Sequence, residues 1–221
     1  MNPAPSIDPA PARPGRRARR QAETRARILR AALDLFARQG FFATTVEQIT
    51  EAADVGKGTF FNYFPSKEHA LAGFGEIQVS KVQAALAEAR RGAGPVRAVL
   101  RHLARVLAEE PGRSPSLVRG LLAANFSSES FLKLMRRNLA RGGRLLAQVA
   151  AEGQRRGEIR RDIKPAAFVR YFQQTFFGAL LLWALYPSSQ LQGRLDTTLD
   201  LFWSGVAAPP AQGTDSTETQ Q

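Results

Sequence analysis

Apolar side chains recur at three- and four-residue intervals along almost the whole chain, the spacing of helices with one buried face. Ile28, Ala32, Leu35 and Phe36 mark the inner side of a first helix, predicted from about Gln21 to Gln39 and closed by Gly40. A second helix through Ala53 opens on a capping pattern in one of two frames, Thr44 with Glu47 or Thr45 with Gln48. "DVGK" reads as a turn, and Lys57 to Phe64 as a short third helix that places Phe60 and Phe64 on one face. Pro65 stops it. Ser66 is expected to cap a fourth helix running to about Arg91.

After "RGAGP" the pattern restarts with Val96, Val99, Leu100, Leu103 and Val106 in a fifth helix. Further helices are predicted over roughly Ser116 to Asn125, Ser130 to Arg156, Ala166 to Tyr186 and Ser189 to Ala207. No strand pattern stands out, so the fold class is all-α. The helix from Ala166 is apolar on more than one side (Phe168, Phe172, Phe176, Leu180 and Leu182 among others) and needs cover on two faces. The last helix carries Leu191, Leu195, Leu199, Phe202 and Val206 as one stripe. One monomeric core is one source of that cover; a second copy is the other. In a homodimer the interface is expected at Phe177, Leu181, Trp183, Leu195, Leu199 and Phe202.

Charge and composition narrow the chemistry. The 221 residues hold 31 basic and 19 acidic side chains, a net +12 that favours polyanionic partners. With no cysteine and two histidines, thiolate metal sites and cysteine catalysis are excluded, and neither a metal nor a cofactor is expected. "GKGT" is not a phosphate loop, because the glycine required five residues ahead of the Gly-Lys pair is Glu51. No G-x-S-x-G and no H-E-x-x-H occurs. An enzyme is not expected. The most apolar run, Phe176 to Tyr186, is about half of a membrane span, so the reading is a cytoplasmic protein with no membrane partner. Both ends, rich in proline or polar groups, are expected to be disordered.

The stretch "TTVEQITEAADVGKGTFFNYFPSKEHAL" joins a helix, a tight turn and a short second helix, which makes a helix-turn-helix unit. Opposite Phe60 and Phe64 lie Thr59, Asn62 and Tyr63, a face of hydroxyl, amide and phenol suited to reading base edges in a major groove. Gly58 leaves a backbone N–H unshielded at the start of that helix. The alternative is an ordinary helical hairpin.

Residues 26 to 71, "ARILRAALDLFARQGFFATTVEQITEAADVGKGTFFNYFPSKEHAL", resemble the TetR (tetracycline-repressor-like) family of regulators. The resemblance implies a homodimer with three N-terminal helices on double-stranded operator DNA. It also implies a larger domain that binds a small-molecule effector and dimerises through its last two helices. By position, Thr45 is implied to touch phosphate, Lys57, Gly58, Thr59, Phe61, Asn62 and Tyr63 to present the recognition helix, and Lys67 to grip phosphate. Asp54 stands where the family often has glycine and tolerates a left-handed turn. Phe61 stands where tyrosine is common; it lacks the hydroxyl for one phosphate contact, which falls to Tyr63.

Four regions are therefore expected: a disordered basic arm (1–20), a DNA-binding domain (21–66), an effector and dimerisation domain (67–208) and a disordered tail (209–221). In the arm, Arg16, Arg17, Arg19 and Arg20 follow Arg13, a run that suits a phosphate backbone or a minor groove. Yet residues 1–70 carry 11 basic and 7 acidic groups, net +4, against 15 and 6, net +9, over 71–157. Most of the excess lies outside the reading head. Arg97, Arg101 and Arg105 read as a solvated row, as a site for an anionic effector, or as a source of longer-range attraction to DNA. Effector contacts are expected from Phe74, His102, Leu103, Leu107, Leu122, Phe126, Phe131, Met135, Phe172, Gln173 and Phe176, all equally good core residues apart from His102, which flanks the core. The functional reading is a ligand-responsive repressor; the competing one is an effector-independent architectural DNA binder.

Overall fold

The computed structural model describes residues 15–127, 129–187 and 190–209, with the side chains of 124–127 and 130 left out of the description. Most of both expected tails, Arg13 included, lies outside the described residues. Among those residues the chain forms nine α-helices: α1 (Arg16–Gln39), α2 (Val46–Ala52), α3 (Lys57–Tyr63), α4 (Lys67–Arg91), α5 (Val96–Ala108), α6 (Pro115–Ser127), α7 (Glu129–Arg155), α8 (Pro165–Leu185) and α9 (Leu191–Val206). The only extended pairing among them is an isolated bridge, Ile159 with Ala207, which ties the α7–α8 loop to the end of α9.

Helix α1 corrects the expected disorder of residues 16–20. Gly15 stands at its N-cap, and Arg16 to Glu23 are mostly good helix formers, joined by an Arg19–Glu23 pair at 3.5 Å. Its far end is as expected, with Gly40 at φ 87° donating to Phe36 O. At α2 the structure selects the Thr45 frame: Thr45 Oγ1 accepts from Gln48 N, and Gln48 Oε1 accepts from Thr45 N. Thr44 is buried and donates to Gly40 O at 2.7 Å. Ser66 holds the N-cap position of α4 without capping it, since its hydroxyl pairs with His69 Nδ1 at 3.0 Å.

Two hydrophobic clusters organise the helices. The first gathers Ile28, Phe36, Ile49, Phe60 and Phe64 of α1 to α3 and its margin, and is completed from outside by Ala70 to Phe74, Leu117 and Phe131. The reading head thus shares its core with α4, α6 and α7. The second lies among α4 to α9, where Phe168, Phe172 and Phe176 succeed one another along α8 and Phe202 of α9 sets its edge against the first two.

That arrangement corrects three of the six residues expected at a dimer interface. Trp183, Leu195 and Leu199 are buried in the second cluster, and Phe202 packs on it, because α8 and α9 turn these residues toward each other and α5. Phe177 and Leu181 remain exposed, together with Tyr171, Leu182 and Leu185 of α8, Tyr186 just past its end and Leu201 of α9.

Candidate nucleic-acid interface

The turn between α2 and α3 is built by backbone hydrogen bonds. Val55 N donates to Thr50 O at 3.0 Å and Asp54 N to Glu51 O at 3.1 Å, the paired closure of a helix C-terminus around a left-handed residue. Asp54 supplies that residue at φ 49°, as its side chain type allows, and Arg27 donates to its carbonyl. Phe60 and Phe64, 5.9 Å apart between ring centroids and both buried, fix α3 to the core. Arg25 lies over Phe64 at 5.1 Å and pairs with Glu76 of α4 at 2.7 Å, so α1, α3 and α4 meet at one ring.

With that face anchored, the opposite one is free. Lys57, Gly58, Phe61 and Asn62 are exposed; Thr59 and Tyr63 are half-buried. A Cβ at Gly58 would meet nothing within 4 Å, so the fold does not require glycine there. Phe61 is 51% exposed with its neighbour Phe60 edge-on, an apolar ring displayed on a surface helix. Thr45 is exposed beside this face, at the start of α2.

Arg16, Arg17 and Arg20 line an open groove of about 500 Å³ with Gln21, Thr24 and Tyr63. The first turn of α1 and the end of the recognition helix therefore form one basic surface. No acidic residue balances that first turn, and four arginines crowd the positive end of the helix dipole. An anion placed there would relieve both.

Two lysines behave differently. Lys57 Nζ lies 2.5 Å from Glu47 Oε1, bridging α3 to α2 at the surface, and that hydrogen bond holds the Glu47 carboxyl below its ordinary value. Lys67 is corrected as a phosphate contact: its ammonium donates to the carbonyls of Phe41 (3.0 Å), Phe42 (3.5 Å) and Thr44 (2.9 Å) and sits over the Phe41 ring. Three N–H donors meet three carbonyls, which leaves none over.

The residues expected to bind an effector do not converge on one cavity. Leu103, Leu107, Phe172 and Phe176 are buried in the second cluster with Leu122 against it, whereas Phe74, Phe131 and Met135 belong to the core of the reading head. Gln173 is half-buried beside Gly143, and the Phe126 side chain lies outside the described residues. His102 faces solvent in a groove with Arg101, Arg105 and Trp203 rather than the core, since the buried stripe of α5 runs through Val99, Leu103 and Leu107. Arg97 and Arg101 both pair with Asp200, and Arg105 with Asp196 at 3.0 Å, a ladder joining α5 to α9 that keeps the Asp200 carboxyl low. Among the described residues no three His, Asp or Glu side chains gather as a metal site, and no helix is long and apolar enough to cross a membrane.

Sequence reasoning missed the Glu47–Lys57 bridge and a second link, Gln39 Nε2 to Gln48 Oε1 at 2.8 Å, which ties α1 to α2. Both join residues about ten positions apart across a turn, a separation that helical periodicity does not register. The four- and three-residue spacing of Lys133, Arg137, Arg141 and Arg144 also places a row of cations along one side of α7.

A short helix anchored by one face and presenting the other beside a basic surface, carried on a larger helical body, defines a helix-turn-helix DNA-binding protein. Residues 28–72 match the profile of the bacterial regulatory proteins, tetR family. The transcriptional regulator TcmR of Streptomyces glaucescens is 50% identical over 64 residues, 29% of this chain and 28% of that protein. The repressor KstR of Rhodococcus jostii is 25% identical over 191 residues, 82% of this chain and 83% of that protein. Among solved structures, the TetR-family repressor FadR of Thermus thermophilus, in complex with lauroyl-CoA, is 32% identical, with 85% of this chain and 97% of that one covered at a TM-score of 0.60. This chain belongs to the TetR family of transcriptional regulators.

Proposed function

We propose that this protein is a repressor that occupies operator DNA as a homodimer and leaves it when a small-molecule effector binds the α4–α9 body. The outward face of α3 carries this reading: Gly58 and Asn62 are exposed where the fold requires neither, and the Thr59 hydroxyl and Tyr63 phenol stand half-buried beside them. Arg16, Arg17 and Arg20 add phosphate contacts from α1, and Thr45 another from α2. Within this reading residues 16–66 are the reading head, and the remainder senses and dimerises.

Dimerisation falls to the exposed apolar face of α8, with Leu201 of α9. Two copies pairing these faces would cover both in a four-helix arrangement. Effector binding is transmitted through α4, α6 and α7, the three helices of the larger body whose residues complete the core of the reading head. The effector class that fits best is a fatty-acyl thioester of coenzyme A. The FadR relative holds lauroyl-CoA, and the second cluster here is an aliphatic and aromatic interior suited to an acyl chain.

Sequencing the DNA fragments that the purified protein retains from its own genome tests the reading. A shared, near-palindromic site is expected, because a two-fold dimer sets two recognition helices roughly 34–36 Å apart. Retention indifferent to sequence would favour the architectural alternative.

A further inference from the structure

The row of cations on α7 is the largest charged feature that operator reading leaves unused. Lys133, Arg137, Arg141 and Arg144 follow at intervals of four, four and three residues, all exposed, with Arg136 beside them. Among the described residues none of the five pairs with a carboxylate. Other exposed cations, Arg30, Arg38 and Arg170 among them, also lack a carboxylate, but they form no such row. The α5 arginines are matched by Asp196 and Asp200, Lys81 by Glu110, Arg156 by Glu158 and Arg160 by Asp162. Like charges at helical i, i+4 spacing repel, so the α7 row weakens the fold and suits an anion from outside it.

Its placement says which anion. Helix α7 runs beside α4 in the same direction: Asn138 faces Gly75, Gly142 faces Val79 and Val82, and Gln148 accepts from Arg90. The row starts level with the reading head, where Phe131 and Met135 join its core, and climbs away from it. That rise favours a small polyphosphate over the DNA itself. At Arg141 to Arg144 two glycines intervene, and a Cβ on Gly143 would stand 3.3 Å from Val169 and 3.7 Å from Gln173 Nε2 of α8. Phe168, Phe172 and Phe176 line the interior just behind that edge. Cations outside and an aromatic core within are one helix apart, the layout for an amphiphile with a phosphorylated head. Four cations over about 16 Å of helix match several phosphate groups rather than one.

We propose that the α7 row binds the phosphate groups of the effector while its acyl chain enters the core beneath, an inference that rests on the effector class proposed above. The test titrates lauroyl-CoA, lauric acid and tripolyphosphate into the full chain and into a variant with Arg137→Gln, Arg141→Gln and Arg144→Gln. Thermal melting checks equal folding, single substitutions serve if the triple variant melts early, and affinity for a long duplex of mixed sequence is measured in parallel. The variant should bind lauroyl-CoA at least tenfold more weakly, lauric acid equally, and the duplex within about threefold of the parent protein. Equal lauroyl-CoA affinity in both proteins overturns the phosphate site and leaves the effector class standing. If the parent protein ignores lauroyl-CoA but binds tripolyphosphate through these arginines, the phosphate site stands and the effector class falls; if it binds neither, both fall. A tenfold loss of duplex affinity with lauroyl-CoA binding retained assigns the row to DNA and overturns the proposal.

Discussion

A Cβ on Gly120 would stand 2.8 Å from the Cβ of Phe41, so α6 touches the reading head where only glycine leaves room. Ser116 Oγ donates to Ala37 O at 3.3 Å and Arg113 pairs with Asp34 at 2.6 Å along the same seam. Alanine is the better helix former by about 1 kcal/mol, but overpacking against a Cβ costs about 1–3 kcal/mol. Gly120→Ala should therefore lower stability in urea denaturation and alter operator affinity. Gly142→Ala, whose Cβ would meet only Val82 and Val79 at 3.9 and 4.0 Å, should raise stability by up to about 1 kcal/mol. Identical shifts in the two variants would mean the α6 contact is not tight.

The recognition face predicts a loss of affinity without a loss of fold. Thr59→Ala and Asn62→Ala should each weaken operator binding by roughly 1–3 kcal/mol where a base contact is lost, at unchanged melting temperature. Phe64→Ala should do the reverse in kind, destabilising by about 3–5 kcal/mol through the core. Operator titrations beside thermal melts separate the two behaviours.

Arginines at the start of α1 work against the helix and for the DNA. Replacing Arg16 and Arg17 by glutamine should raise the stability of the free protein by a few tenths to about 1 kcal/mol at low salt, since the helix dipole disfavours cations there. The same change should flatten the salt dependence of DNA binding by about 0.9 in log-log slope per lost phosphate contact. An unaltered slope would show that these side chains do not reach the backbone.

The Glu47–Lys57 bridge sets a pH expectation. A carboxyl whose pKa folding depresses contributes stability above its unfolded value and loses it as pH falls through the lower folded one. The hydrogen bond from Lys57 lowers Glu47 from 4.5, so the bridge is complete at neutral pH and opens only in acid below that value. Between pH 6 and 8 it should add no pH dependence to DNA binding. Glu47→Gln, which frees Lys57 and removes a negative charge beside the recognition face, should tighten DNA binding at low salt, with the gain fading as salt rises. Filter binding at two ionic strengths checks it.

How far the sequence was legible varies by level, for physical reasons. Helices, turn and capping chemistry are local, so periodicity places α2 and α3, and the resemblance together with the Asp side-chain type allows the left-handed Asp54. Tertiary partners are not local. Leu195 and Leu201 are equally apolar, yet one is buried against its own chain and the other is exposed, and only the rotation of α9 on α8 and α5 decides between them. The phosphate contact of Lys67 is implied by the resemblance alone, and the carbonyls that occupy its ammonium lie more than twenty residues away in sequence, beyond what local pattern shows. Arg16 to Arg20 looked disordered because charge density masked good helix propensity.

The last expectation concerns assembly. Leu201 is 69% exposed and Leu185 53%, whereas Leu199 is 5% exposed. Burying apolar surface is worth about 25 cal/mol per Å², and Tyr171, Phe177, Leu181, Leu182 and Leu185 of α8, with Tyr186 just past its end, stay uncovered by the chain's own helices. Arginine at Leu182 or Leu201 should therefore yield a folded monomer that fails on a full palindromic operator. Arginine at Leu199 should unfold the larger body instead, because a charge forced among Phe168, Phe202 and their neighbours has no partner. Light scattering with circular dichroism distinguishes these outcomes. A wild-type monomer at micromolar concentration that still fills a full operator as a single copy would refute the dimer and, with it, the two-fold spacing of the reading heads.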